Sequence, residues 1–207
     1  MTKFITLLIL ITCLSCSQPY KTIQTDGIIE IEEWKDAEGY ELNDGNKILI
    51  LKNGDELNIA LISTKKIWSH LYLSDGETTK VMHASAALDA VDYIKTDSLW
   101  LTQDDFEYVM RDKFYTPELE EKMKEYYTNN GWVANNVSLG NGKTIEFKID
   151  MKKWKNSLFL STAMANMDMS IHSFPTSLND HTILPRLVQG YAKDSLNFEP
   201  TTWFKIK

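Results

Sequence analysis

Residues 25–37, read as TDGIIEIEEWKDA, gather five carboxylates (Asp26, Glu30, Glu32, Glu33 and Asp36) around one indole, Trp34. Carboxylates at this density can serve as acids and bases, or hold calcium if several oxygens converge at roughly 2.3–2.6 Å. The order Glu30, Ile31, Glu32 alternates charged with apolar, which predicts a half-exposed strand. Asp26-Gly27 predicts a turn before it. No calcium ligand set is legible, and Trp34 is expected to anchor the core.

Three other groups carry chemistry. The six tryptophans are Trp34, Trp68, Trp100, Trp132, Trp154 and Trp203. An indole face stacks on the apolar face of a pyranose when amides and acids nearby meet the hydroxyls. Trp132 follows Gly131 and precedes Asn135 and Asn136, so it is the first candidate for an exposed platform. Trp68 is the second, with His70 at the same strand parity. His83 and Ser85 also share parity within VMHASAAL. A nucleophilic pair needs an orienting group and an oxyanion hole, and no G-x-S-x-G elbow is present, so a satisfied buried histidine is expected. Met164, Met167, Met169 and His172 could suit copper or haem. Met164 and Met167 have opposite strand parity, however, and core filling is the expected role.

These residues need elements to position them. KILILK and ELNIALI flank Asn53-Gly54, a dipeptide that favours a two-residue hairpin turn. Leu57, Ile59 and Leu61 alternate with Asn58 and Ala60, predicting one buried face. KIWSHLYLS (66–74) follows, and Asp75-Gly76 marks a turn. KVMHASAAL, DAVDYI and SLWLT are expected strands. In KTIEFKIDM (143–151), Ile145, Phe147 and Ile149 face one way and Glu146, Lys148 and Asp150 the other. SLFLSTAMANM (157–167) is its expected partner, and TWFKI (202–206) the last strand. One helix interrupts, over about 116–130. Thr116 can cap it, Pro117 suits its first position, and Gly131 can stop it. Leu119, Met123 and Tyr126 lie on one face. Residues 168–200 carry weak strand signals. Many short strands with one inserted α-helix predict a mainly β fold, an antiparallel β-sandwich.

The composition sets the setting. Apolar residues at 43% and aromatics at 11% suffice for a packed core. A formal charge of −7 opposes binding to nucleic acid. After Lys3, an apolar run from Phe4 to Ile11 is too short for a bilayer, which needs about 20 residues, and fits a secretory signal. Leu14-Ser15-Cys16 resembles the lipobox of bacterial lipoproteins, in which the cysteine is acylated and becomes the first residue. A typical lipobox has Leu three positions earlier, where this chain has Cys13. Cys13, preceded by Thr12, is the alternative lipidation site. Both cysteines lie in this region, so the body has no disulfide and no thiolate site. The expected organisation is a signal peptide over 1–15, a lipid-anchored tether over 16–24 and a single domain over 25–207.

The order of motifs carries a resemblance. DGIIEIEEWKDA is similar to the opening of carbohydrate-binding module family 9-like (DOMON-like) sandwiches, through Asp26-Gly27, Glu30 and Glu33-Trp34. TIEFKIDMKKW resembles a later strand of that family, and EPTTWFKIK its closing strand. The resemblance implies a non-catalytic glycan- or sugar-binding module that assists glycan breakdown, and the lipobox-like segment implies a lipid-anchored place in the bacterial cell envelope. It also implies calcium in some members, and haem bound by Met and His in others. The expected ligand site is Trp132, Asn135 and Asn136, with Trp68 and His70, and no cofactor. The alternatives are a haem- or copper-binding redox domain, and a structural envelope lipoprotein that binds a protein partner.

Overall fold

A computed structural model describes residues 22–85, 87–103, 109–110, 116–135, 142–154, 157–166, 168, 170–176 and 195–207. The signal region with Cys16, and also Asn136, Met167 and Met169, lie outside the described residues. In chain order, a helical turn α1 (Ile31–Trp34) leads to β1 (Glu38–Glu41), β2 (Lys47–Asn53) and β3 (Glu56–Ile62). Then come β4 (Ile67–Ser74), β5 (Thr78–Ala84), β6 (Ala87–Thr96), β7 (Leu99–Thr102) and β8 (Val109–Met110). Helix α2 (Pro117–Asn130) precedes β9 (Trp132–Asn135), β10 (Thr144–Asp150), β11 (Phe159–Asn166), β12 (Ile171–Phe174), β13 (Ser195–Leu196) and β14 (Phe204–Lys205).

Two antiparallel sheets result, and the fold is mainly β and sandwich-like. The smaller runs β1-β2-β3-β10-β9. The larger runs β12-β11-β4-β5-β6-β7-β13, with β14 on β11 and β8 on β6. The core between them takes Leu57, Ile59 and Leu61 from β3, Ile145, Phe147 and Ile149 from β10, and Leu71, Leu73 and Met82 from the larger sheet. The strict alternation in β10 therefore reads correctly. Its partners do not: β10 pairs with β3 and β9, whereas β11 belongs to the other sheet and pairs with β4. Apolar periodicity selects a face but not a neighbour.

Helix α2 matches its expected ends. Thr116 Oγ1 accepts from Leu119 N at 3.2 Å, and Gly131 adopts φ +72° and donates its N–H to Tyr127 O at 2.7 Å. Leu119 and Met123 are buried. Among the described residues no helix is long and apolar enough to cross a membrane.

Three local expectations are corrected. In the β2–β3 hairpin Asn53 pairs with Glu56, so the loop is Gly54-Asp55, one residue later than expected. Gly54 has φ +60° as first loop residue, as a type II′ turn requires. VMHASAAL is not one strand, because the chain bends at Ser85 between β5 and β6. Residues 31–34 form a helical turn rather than a strand, which leaves Ile31 83% exposed.

Both sheets are also covered on their outer faces. In β3, Asn58 and Ala60 are as buried as Leu57, Ile59 and Leu61. Ile23 and Trp34 pack on Ala60, with Leu49 and Leu51 beside them. On the larger sheet, Phe198 and Trp203 from the C-terminal segment pack on Tyr72, Val81, Tyr93 and Trp100. Trp100 Nε1 donates to Phe198 O at 3.0 Å. Neither outer face reads as solvent, because residues distant in sequence return to cover it.

Candidate functional site

The opening segment is a strap across the smaller sheet. Trp34 is buried there, as its expected core role requires. Glu146, on the face of β10 opposite Ile145, Phe147 and Ile149, is 1% exposed beneath the strap. Its Oε2 accepts from Asp26 N at 3.0 Å and Gly27 N at 2.6 Å, and its Oε1 accepts from Trp34 Nε1 at 3.2 Å. Thr144 Oγ1 donates to Gly27 O. Desolvation pushes the Glu146 carboxyl up to about 8, with the Asp26 charge adding to the rise and the three donors opposing it. The dense carboxylates of 25–37 are thus largely the solvated side of a structural strap. Asp26 Oδ1 accepts from Ile28 N at 2.7 Å. Among the described residues no three His, Cys, Asp or Glu side chains are placed to hold a metal ion.

The described members of the predicted ligand set, Trp132, Asn135, Trp68 and His70, do not form one site. Trp132 is 2% exposed. Gly131 turns the chain directly into β9, whose register sets Trp132 opposite Ile149, so the indole enters the core. It stacks on Phe147 at 6.4 Å between centroids and meets the edge of Tyr126 at 5.4 Å. The exposed platform expected at Trp132 is therefore corrected to a core residue at the floor of a cleft. Asn135 is fully buried, and its Nδ2 donates to Thr25 O at 3.2 Å, so it holds the strap. Trp68 is half-buried on β4, in the other sheet. His70, near it, is buried, with Nε2 3.0 Å from His83 Nδ1. Burial and the neighbouring His83 push His70 down to about 3, so it stays neutral. His83 Nε2 lies 2.8 Å from Ser85 Oγ. The histidine is satisfied, as expected.

The cleft itself is about 250 Å³. It opens where the β4–β5 turn, the C-terminus of α2 and the short helical turn after β10 meet. Trp132 and Met82 contribute apolar surface, and half-buried Trp154, Asn130 and Lys153 also line it. Lys80 and Asp92, opposed across β5 and β6, pair at 2.7 Å with side chains 25% and 31% exposed. Asp75 and Glu77 complete the polar side. One aromatic wall beside planar acceptors and an ammonium is the chemistry that holds a polyol. Trp154, Asn130, Lys80 and Asp92 were missed from sequence. Their only local signals were the tryptophan after TIEFKIDMKK and the Asp75-Gly76 turn; the Lys80–Asp92 pairing depends on register.

A second groove, about 340 Å³, lies between the strap and α2, lined by Ile23, Met123, Tyr127 and Val133. Its cations are already paired, Lys124 with Glu120 and Glu121, and Lys148 with Glu56.

No protein-family model, no curated protein sequence and no solved structure matches this chain. The chain is a mainly β, two-sheet antiparallel sandwich-like protein, strapped at both outer faces and carrying a polar-aromatic cleft.

Proposed function

We propose that this is an exported, lipid-anchored protein of the cell envelope whose sandwich binds a glycan or small sugar without catalysing a reaction, and assists glycan breakdown by doing so. The observation that carries the reading is the cleft, whose lining includes half-buried Trp154, the Lys80–Asp92 pair and Asn130. Its volume is below the roughly 300–1,000 Å³ of typical small-molecule sites. It therefore grips part of a ligand and leaves the rest in water. The test is calorimetry of the folded protein against a glycan panel. Trp154→Ala is expected to weaken binding about thirtyfold or more, the loss typical of a central aromatic anchor. Trp68→Ala, outside the cleft, is expected to leave binding unchanged. Absence of sugar binding by the folded wild type at millimolar concentration removes the reading; equal binding by Trp154→Ala moves the site elsewhere.

The anchor has its own test. Labelled palmitate is expected to enter the wild type and not Cys16→Ser, because Cys16 is the cysteine preceded by Leu14-Ser15 after the apolar run. Equal labelling of both proteins overturns the assignment. One observation favours a haem- or copper-binding domain instead: the β11–β12 register sets Met164 opposite His172. Against it, Met164 is fully buried in the inter-sheet core, and His172 Nε2 sits 3.1 Å from Asn166 Nδ2. A coloured purified protein would reverse that preference.

A further inference from the structure

The larger sheet is wider than the smaller, and its inner face runs on past the core. Along β6, Leu88, Asp92, Ile94 and Thr96 share that face. The register sets Asp92 opposite Lys80, and Ile94 opposite Thr78, on β5. On the other side, Ile94 lies opposite Leu101, and Thr96 opposite Leu99, on β7. Leu88 and Met82, on the same face, enter the inter-sheet core; Ile94, Leu99 and Leu101 do not. Leu99 and Leu101 are 48% and 40% exposed, while Trp100 between them is buried on the outer face. The cleft borders this stretch, since Thr78, Lys80 and Asp92 line it. We propose that Ile94, Leu99 and Leu101 form a track for an aliphatic chain, and that the ligand of the cleft is a neutral glycan bearing an alkyl or acyl chain. The inference deepens the sugar-binding reading of the cleft and rests on it.

The chemistry of the track selects this occupant. Its apolar side chains are aliphatic, so they give a sugar ring no π face to stack on. Methylenes need only non-directional apolar contact, which isoleucine and leucine supply. The polar residues in the same rows are Thr78, Thr96 and Ser195, all uncharged, with Ser195 set opposite Leu101 by β13. An extended peptide that adds to a sheet needs a free strand edge, whereas β7 is paired with β6 on one side and β13 on the other. A second copy of the chain is a poor fit as well. Three side chains, none more than half exposed, fall far short of the roughly 800 Å² per partner of a stable interface.

The cleft fixes the other end of the ligand. Its carboxylates are Asp75, Glu77 and Asp92, against the ammoniums of Lys80 and Lys153. Lys80 is taken by Asp92 at 2.7 Å, and Lys153 Nζ donates to Asn129 O at 3.3 Å. A phosphate-bearing head would meet the acids without a free partner; a neutral sugar meets acceptors for its hydroxyls. The cleft holds only part of a ligand at about 250 Å³. From Asp92 the face continues along β6 to Thr96, beside Leu99, a distance of roughly 14 Å at strand rise. A chain leaving a sugar at Asp92 thus lies along Ile94, Leu101 and Leu99 with its other flank in water.

The experiment uses the full chain with Cys16→Ser, so that no acyl group of its own competes for the track. Calorimetry compares the methyl and octyl glycosides of glucose, galactose and mannose, all below their micelle concentrations. Each methylene taken from water is worth about fourfold in affinity. For at least one sugar the octyl glycoside is expected to bind at least about tenfold more tightly than the methyl glycoside. Adding Leu99→Asn and Leu101→Asn together is expected to remove that gain and leave the methyl glycoside's affinity unchanged. Ile171→Asn, at a site 37% exposed on β12, is expected to keep the gain. Carbon-13 shifts of the Ile94, Leu99 and Leu101 methyls, expected to move with the octyl and not the methyl glycoside, give a readout independent of any variant's folding. Three results overturn the track: no octyl gain for any sugar, a gain that survives both leucine substitutions, or equal binding of octyl pentaethylene glycol ether, which has the chain and no sugar. A methyl glycoside that binds without an octyl gain sinks the track alone. The ether binding where no glycoside binds sinks the sugar reading with it.

Discussion

Phe147→Ala should lower stability by about 3–5 kcal/mol, the range for emptying a buried aromatic site. Phe147 is 1% exposed at the centre of β10, between Ile145 and Ile149. Its ring stacks on Trp132, and its cross-strand neighbours are Ile59 and Ala134, both fully buried. Truncation removes the apolar area and leaves a void that two hydrogen-bonded sheets cannot readily close, since each strand's position is set by its ladder. For a domain of this size each kcal/mol shifts the melting midpoint by roughly 2–4 °C, so a fall of about 10 °C is expected. Urea unfolding measures it directly. An unchanged midpoint would mean that β10 does not line the inter-sheet core. Because Phe147 underlies Trp132, the variant should also be checked for sugar binding, with weakening expected through loss of the cleft floor.

Trp34→Ala should be comparably costly, at about 3–5 kcal/mol, though it lies outside the inter-sheet core. The indole is 5% exposed and covers Ala60 with Leu49 and Leu51 beside it. Its Nε1–H is one of the three donors to Glu146. Truncation therefore uncovers an apolar outer face and leaves a buried carboxyl with fewer partners, two penalties that add. Trp34→Phe should recover most of the packing and none of the indole hydrogen bond, so it should fall between wild type and Trp34→Ala. The measurement is chemical denaturation of all three proteins. Equal stability of wild type and Trp34→Ala would show that the strap contributes nothing to the fold.

Much of the architecture was legible locally. Helix α2 follows from Thr116, Pro117 and Gly131, whose backbone preferences act within one turn and need no tertiary partner. The inward set Ile145, Phe147 and Ile149 follows from the two-residue period of a strand. The turn at Asp75-Gly76 follows from side-chain chemistry: Asp75 Oδ1 accepts from Glu77 N and Thr78 N at 3.0 and 2.8 Å. Trp34 as a core anchor also follows, from the size of the indole.

What failed depended on pairing and on coverage, neither of which is a local property. A strand's period says which face is apolar, but not that β11 leaves β10 for β4. The helix stop at Gly131 suggested a loop around Trp132, and only the β9–β10 register turns that indole inward to floor a cleft whose wall, Trp154, is twenty-two residues away in sequence. Asn135 looked like a hydroxyl-binding amide; it holds the strap because residues 22–37 return over the sheet that contains it. Glu146 alternates like any solvent-facing acid, yet it is buried because a segment some 110–120 residues earlier supplies its three donors. The sequence by itself determined the class of fold, the helix and the inward faces, since backbone preference and hydrophobic period act over a few residues. The tertiary structure alone decided which outer faces are covered, which tryptophans meet water and which carboxyl is desolvated, since burial is settled by whatever distant chain packs on top.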